Sequence, residues 1–170
     1  MAIGTLDHGR RGFLTGKSGK KTRDLPLPWL RESALEELCT RCGDCIEVCP
    51  EAIIKPGAGG YPHVTFALNG CTFCGECARA CPEDLFDLSL DPPWQLSLHI
   101  SDQCLTKKQV MCQSCRDACE ASAILFRPEI GRVARPALDA SLCTSCGACV
   151  SSCPANAISL ERAEVQGAAP

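Results

Sequence analysis

The chain has 170 residues, a formal net charge of −3 at pH 7, eight aromatic residues and sixteen cysteines. This length holds one or two small domains, and so few aromatic side chains predict a thin apolar core. The slightly acidic balance argues against nucleic-acid binding, and no stretch is long and apolar enough to predict a transmembrane helix. We therefore expect the stability of the fold to depend largely on what the cysteines bind.

Residues 1–24 are predicted to form a flexible basic arm, with six basic and two acidic side chains, whereas the rest of the chain has 11 basic and 18 acidic ones. This asymmetry favours either docking to a protein partner, through Arg10 and Arg11, or a solvated tail. Residues 10–14 match the start of a twin-arginine export signal, but segment 16–21 is polar where such a signal continues with apolar residues. We therefore expect a cytoplasmic protein.

Short secondary-structure elements are predicted along the rest of the chain. Ser33 and Glu36 fit a capping box, which predicts a short helix before the first cysteine. Glycines in segment 56–60 predict a turn, followed by a strand with Val64, Phe66 and Leu68 on one face. A half-buried strand is expected over 96–100, and segments 123–126 and 132–134 flank a turn at 128–131. Short helices are also expected over 45–49 and the matching positions of the other cysteine runs.

Three runs of four cysteines share the spacing Cys-x2-Cys-x2-Cys-x3-Cys-Pro and begin at Cys39, Cys71 and Cys143. This is the pattern that binds [4Fe–4S] clusters, since each cube needs four thiolates. The third run in chain order begins at Cys104, has seven residues before its second cysteine, and ends with Glu120 in place of proline. In the other three runs a glycine follows the second cysteine, where a residue without Cβ lets backbone N–H groups approach the cluster.

In two-cluster ferredoxins the cysteine after the x3 gap ligates the neighbouring cluster. We therefore predict four [4Fe–4S] clusters that use all sixteen cysteines, with each pair of runs exchanging its last ligand. The predicted ligands are Cys39, Cys42, Cys45 and Cys81 for site 1; Cys71, Cys74, Cys77 and Cys49 for site 2; Cys104, Cys112, Cys115 and Cys153 for site 3; and Cys143, Cys146, Cys149 and Cys119 for site 4.

Other uses of the cysteines fit less well. Three thiols within seven residues are poorly placed to form disulfides with one another. Zinc sites usually combine two separated Cys-x2-Cys pairs rather than triplets that end in Cys-Pro. Covalent haem is excluded because no Cys-x2-Cys is followed by histidine.

An internal duplication is indicated by two tryptophans, Trp29 and Trp94, each preceded by proline and each ten residues before the first cysteine of a run. Both tryptophans are expected to pack in the core. We predict a small α+β protein of two tandem bacterial-type 2[4Fe–4S] ferredoxin modules, at 25–90 and 91–162, with a tail at 163–170.

The cysteine count also bears on function. Four clusters would consume every thiolate, which leaves no cysteine-free iron of the kind that substrate chemistry uses, and no dinucleotide, phosphate-loop or Ser–His–Asp pattern is found. We therefore expect an electron-transfer protein rather than an enzyme.

Features other than the shared cysteine spacing carry a family resemblance. Segments 10–16, 28–29, 57–62 and 124–128, together with the third run ending in Cys119-Glu120, resemble the NapF-type ferredoxins, accessory proteins of the periplasmic nitrate reductase system. The resemblance implies a cytoplasmic protein that contacts the molybdenum-containing catalytic subunit before its export and assists its maturation. The alternative is an electron-transfer subunit or carrier in another oxidoreductase chain.

Overall fold

The computed structural model describes residues 24–163. The predicted basic arm, including Arg10 and Arg11, and the predicted tail therefore lie almost entirely outside the described residues.

Short elements alternate with loops throughout this part of the chain. The α-helices are α1 (Leu35–Leu38), α2 (Asp44–Glu47), α3 (Glu76–Arg79), α4 (Ser114–Asp117) and α5 (Ala148–Ser151). The strands are β1 (Ile54–Pro56), β2 (Pro62–Val64), β3 (Leu96–Ile100), β4 (Ile124–Glu129), β5 (Arg132–Leu138) and β6 (Ile158–Arg162). Three 3-10 turns cover Glu32–Ala34, Ala58–Gly60 and Leu105–Lys108. Small helices and small sheets together make the α+β class that the sequence predicts.

The strands form three separate antiparallel pairs, β1 with β2, β3 with β6, and β4 with β5. The predicted hairpin of the second half is confirmed and is longer than expected. Its register shifts between Arg127 and Glu129, next to Pro128, which has no N–H to donate to the ladder. The predicted strand over 96–100 is also confirmed. Its partner β6, paired with Leu98 opposite Leu160, was not predicted.

Two local predictions for the first half need correction. The predicted strand face fails at Leu68, because β2 ends at Val64; Val64 and Phe66 are 2% and 5% exposed, but Leu68 is 73% exposed. The short helix before Cys39 exists, but the capping box is wrong. Ser33 lies inside the 3-10 turn, and the residue that caps α1 is Ala34, which makes no side-chain capping bond.

The larger apolar core combines both halves of the chain. Leu27, Ile54 and Val64 of the first half pack in one cluster with Trp94 and Leu160 of the second. Trp94 is 6% exposed, which confirms its core role, and the half-buried Trp29 ring meets the Phe73 ring edge-on at 6.1 Å. A smaller cluster contains Cys115, Cys149, Ile124 and Ile158. Cysteines thus form part of both cores.

Among residues 24–163, no helix is both long enough and apolar enough to cross a membrane.

Candidate iron–sulfur cluster sites

Each cysteine run has the same local architecture, in which the third cysteine lies in a one-turn helix and the fourth lies beyond its end. Cys45, Cys77, Cys115 and Cys149 are the helical members, in α2, α3, α4 and α5. The short helices expected over 45–49 and its counterparts are thereby confirmed, but each ends before the fourth cysteine. That cysteine is therefore free to point away from the first three.

Left-handed residues shape three of the runs. Gly43, Gly75 and Gly147 begin their helices with φ angles of 95°, 76° and 83°, a region that glycine reaches without strain. The third run has Gln113 at this place, with φ −137°, so the backbone that enters its helix is not left-handed. The glycine pattern read from the sequence therefore reflects a real backbone requirement.

A second left-handed position was missed by sequence reasoning. Arg41, Phe73 and Ser145, each just before the second cysteine of its run, have φ angles of 60°, 54° and 57°. In all three runs the segment reads Cys-Thr-x-Cys, and this shared threonine is the signal that could have identified the tight loop. Non-glycine residues at positive φ are strained and persist where the surrounding structure demands them.

The four cysteines predicted for site 2 line one small cavity. Cys71, Cys74 and Cys77 come from the second run and Cys49 from the first, and the cavity wall also includes Trp29 and Ile53. The structure thus brings the last cysteine of one run to the first three of its neighbour, as the crossed ligand set requires.

Sites 3 and 4 repeat this arrangement in the second half. One cavity is lined by Cys104, Cys112, Cys115 and Cys153 together with Phe126. Another is lined by Cys143, Cys146, Cys149 and Cys119 together with Ile124. The longer first loop of the third run does not prevent Cys104 from joining its set, because the 3-10 turn Leu105–Lys108 takes up the extra residues.

The four cysteines predicted for site 1 are also neighbours. Burial raises the pKa of the Cys45 thiol to about 12, and the adjacent charges of Cys77, Cys39, Cys42 and Cys81 act in the same direction. Burial also raises the pKa of Cys81, with Cys42 and Cys39 again among the charges that act on it. Cys81 of the second run therefore lies beside the first-run loop.

Burial dominates the electrostatics of the other sites as well. It raises the pKa of Cys77 and Cys149 to about 12 and the pKa of Cys71 and Cys115 to about 11, with nearby cysteine charges adding to the effect. Thiolates gathered in an apolar pocket repel one another. Bound iron cations would offset that repulsion, so each set of four cysteines is suited to hold a metal cluster as thiolates.

Several sulfurs already accept hydrogen bonds. The backbone N–H groups of Phe73, Ala123 and Ala157 donate to the Sγ atoms of Cys71, Cys119 and Cys153 at 3.4, 3.3 and 3.3 Å. Thr106, which is 1% exposed, lies with its hydroxyl 3.3 Å from Cys104 Sγ. Such contacts orient thiolate ligands and tune the reduction potential of a cluster.

The thiols of sites 2, 3 and 4 line cavities. All sixteen cysteines lie among the described residues and are free of disulfide bonds. Within residues 24–163, no three His, Cys, Asp or Glu side chains are grouped so as to hold a single metal ion. Cavities lined by four thiols from two runs suit a polynuclear cluster, which is larger than an ion.

Comparisons with known proteins agree with this chemistry. The 4Fe-4S dicluster domain family matches residues 38–85 and again residues 110–162. The ferredoxin-type protein NapF of Escherichia coli (strain K12) is 45% identical over 157 residues, which cover 92% of this chain and 96% of that protein. Its counterpart named NapF in Haemophilus influenzae is 42% identical over 162 residues, covering 89% of this chain and 92% of that protein.

Two dicluster matches imply [4Fe–4S] clusters, and the similarity extends over nearly the whole chain. Cysteine runs alone would fit many iron–sulfur proteins, whereas an identity above 40% over this length identifies one family. The chain belongs to the NapF family of ferredoxin-type iron–sulfur proteins.

Proposed function

We propose that the chain holds four [4Fe–4S] clusters in sites 1 to 4 and works in the cytoplasm as a non-catalytic maturation partner of periplasmic nitrate reductase. Its partner in this proposal is the molybdenum-containing catalytic subunit before export. The chemistry that such clusters supply is one-electron transfer.

The observation that carries the cluster assignment is the crossed geometry. In sites 2, 3 and 4, three cysteines of one run and the last cysteine of another line the same cavity. If each run held its own cluster, its fourth thiol would line the same cavity as its own first three. This chain uses the crossed geometry in both halves, which supports two clusters per half.

The maturation role is supported by the family. The resemblance to NapF-type ferredoxins includes features other than the shared cysteine spacing, and the identity to NapF proteins spans most of both chains. The described body is acidic beyond residue 24, which favours a partner that offers basic surface over nucleic acid.

The alternative, a soluble electron carrier or electron-transfer subunit, is favoured by exposure. Cys42 of site 1 and Cys74 of site 2 are exposed, so clusters held there would lie close to the protein surface. Electron exchange between two proteins requires a short distance between the cluster and the redox centre of the partner.

Deleting the gene distinguishes the two roles. If the protein assists maturation, nitrate reductase made in its absence stays underactive even when artificial dyes supply the electrons. If it is a carrier, dye-driven activity is normal and only the physiological electron supply fails. Normal dye-driven activity would overturn the maturation role.

A second experiment addresses the arm. Removing residues 1–23 should weaken co-purification of the catalytic-subunit precursor, and an Arg10→Ala, Arg11→Ala double variant should do so partially. Equal co-purification by all three proteins would assign the contact to the described body instead.

A further inference from the structure

We propose that the loops around Cys71 and Cys146 form the electronic junction between the two halves, so that the four sites follow one another in space in the order 1, 2, 4, 3. This inference rests on the proposed cluster sites. It goes beyond them because it assigns the path between the two halves to particular residues.

The two loops are joined directly by a backbone hydrogen bond. The N–H of Cys71, a site 2 cysteine, donates to the carbonyl of Cys146, a site 4 cysteine, at 2.7 Å. The path from one thiol to the other therefore consists of covalent bonds and a single short hydrogen bond. The charge of Cys146 also acts on the Cys71 thiol, which supports their proximity.

Glycines allow this approach. A Cβ added at Gly70 would lie 2.7 Å from the backbone nitrogen and 2.9 Å from the Cα of Ala148. A Cβ added at Gly147 would overlap the ring of Phe66, which comes from the other half of the chain. Each loop thus places a glycine where the opposite half leaves no room for a side chain.

Aromatic packing fixes the two loops in place. Trp94 of the second half meets Phe66 and Phe73 of the first half edge-on, with ring centres 5.9 and 5.6 Å apart. Its Nε1 donates to the carbonyl of Thr144, two residues before Cys146, at 3.3 Å. The buried Ser145 hydroxyl donates to the carbonyl of Leu96 at 2.9 Å. The fourth run is therefore anchored to Trp94 and β3, and the Trp94 ring in turn packs against the first half.

Within each half, the helices that carry the third cysteine of each run show which sites are neighbours. Helix α2, which carries Cys45 of site 1, packs against α3, which carries Cys77 of site 2. Helix α4, which carries Cys115 of site 3, likewise packs against α5, which carries Cys149 of site 4. Sites 1 and 2 are therefore neighbours, as are sites 3 and 4. Together with the junction, these contacts make a single line with sites 1 and 3 at its ends.

Two double variants test the junction. Cys42→Ala with Cys112→Ala removes a ligand from each end site and leaves sites 2 and 4 intact. Cys74→Ala with Cys146→Ala leaves sites 1 and 3 intact and is the matched control. Each variant is reduced with dithionite, its iron content is checked, and its electron paramagnetic resonance spectrum is recorded.

The first variant should show split, broadened signals from two interacting reduced clusters, and the control should show two isolated signals. Isolated signals in the first variant, or equal interaction in both, would overturn the junction while leaving the cluster sites standing. A chain that binds no iron at all would overturn the proposed function instead.

If a double variant holds fewer than two clusters, the unmodified protein is tested instead. Anomalous diffraction at the iron edge then has to show sites 2 and 4 as the closest pair between the two halves. Any other closest pair refutes the proposed order.

Discussion

At the scale of single residues, glycines with left-handed backbone angles determine how closely the cysteine loops pack against neighbouring side chains. Gly43 and Gly147 occupy equivalent places at the start of α2 and α5, with φ 95° and 83°, but they differ in their surroundings. A Cβ at Gly43 would meet nothing within 4 Å, whereas one at Gly147 would overlap Phe66. The pair therefore separates backbone strain from steric overlap.

Replacing each of these glycines with alanine should consequently give different losses. Gly43→Ala should cost about 1–2 kcal/mol, the penalty for a left-handed L-residue. Gly147→Ala should cost on the order of 1–3 kcal/mol more, because it overpacks the core. The measurement is the guanidinium concentration at which anaerobic cluster-loaded protein loses its visible absorbance. Equal midpoints for the two variants would show that the Phe66 ring shifts away from the added methyl group at little energetic cost.

The thiols themselves predict a pH effect on cluster assembly. A thiol normally has a pKa of 9.0, and burial raises those of Cys45, Cys77 and Cys149 to about 12. Without a cluster these thiols are therefore protonated at neutral pH, both in this buried setting and in an unfolded chain with the ordinary pKa of 9.0. Cluster ligands must be thiolates, so assembly at neutral pH has to expel these protons.

Anaerobic reconstitution in weakly buffered solution at pH 7 should accordingly release about four protons per cluster from the thiol ligands, in addition to those released as hydrosulfide enters the cluster as sulfide. Cluster yield at limiting iron should rise between about pH 6 and 9. An indicator dye reports the protons. Constant yield across this range, with no more protons than the sulfide supplies, would mean that the thiols are already ionised before iron arrives.

At the scale of elements, the helices and strands are too short to be stable alone. Each helix is a single turn, and each sheet has two strands, so tertiary contacts and clusters have to maintain both. Strand β6 shows the dependence most clearly. It pairs with β3 and carries Leu160, 8% exposed, into the core that both halves share.

Truncating that side chain should therefore destabilise the whole molecule. Leu160→Ala is expected to cost about 2–5 kcal/mol, the range for a buried leucine. Its exposed neighbour offers the control, since Ser159→Ala should change stability by less than about 0.5 kcal/mol. Denaturant titration of the cluster-loaded proteins compares the two. Similar losses would indicate that backbone pairing of β6, rather than its apolar face, matters.

Local patterns predicted these elements better than their partners. Alternation at Leu96, Leu98 and Ile100 identified β3, but its partner β6 begins at Ile158, far along the chain, and nothing local marks the pairing. The alternation through Leu68 continued past the real end of β2, because the chain bends at Ala67 and Leu68. Capping chemistry at Ser33 was likewise overridden when the segment formed a 3-10 turn.

At the scale of the whole molecule, cysteine spacing predicted which thiols gather, since three members of each set are fixed by one loop. The contact between the halves could not be predicted. Gly70 and Gly147 resemble any loop glycines in the sequence, and their importance depends on Ala148 and Phe66, which only the fold brings to them. The cysteine spacing thus predicts the four sets of ligands but not their order in space.

Cluster ligation should also determine whether the molecule folds. Two small apolar clusters, both of them including cysteines, are little core for a chain of this length. Iron-free protein prepared with a chelator and reductant should therefore lose its cooperative thermal transition and most of its circular dichroism. A sharp transition in that protein would show that the apolar cores suffice.

The most direct test of the central claim is the iron and acid-labile sulfide content of anaerobically purified protein. Four [4Fe–4S] clusters held by sixteen cysteines predict about sixteen iron and sixteen sulfide per chain. A fully loaded protein with about eight of each, or one that binds zinc without sulfide, would contradict it.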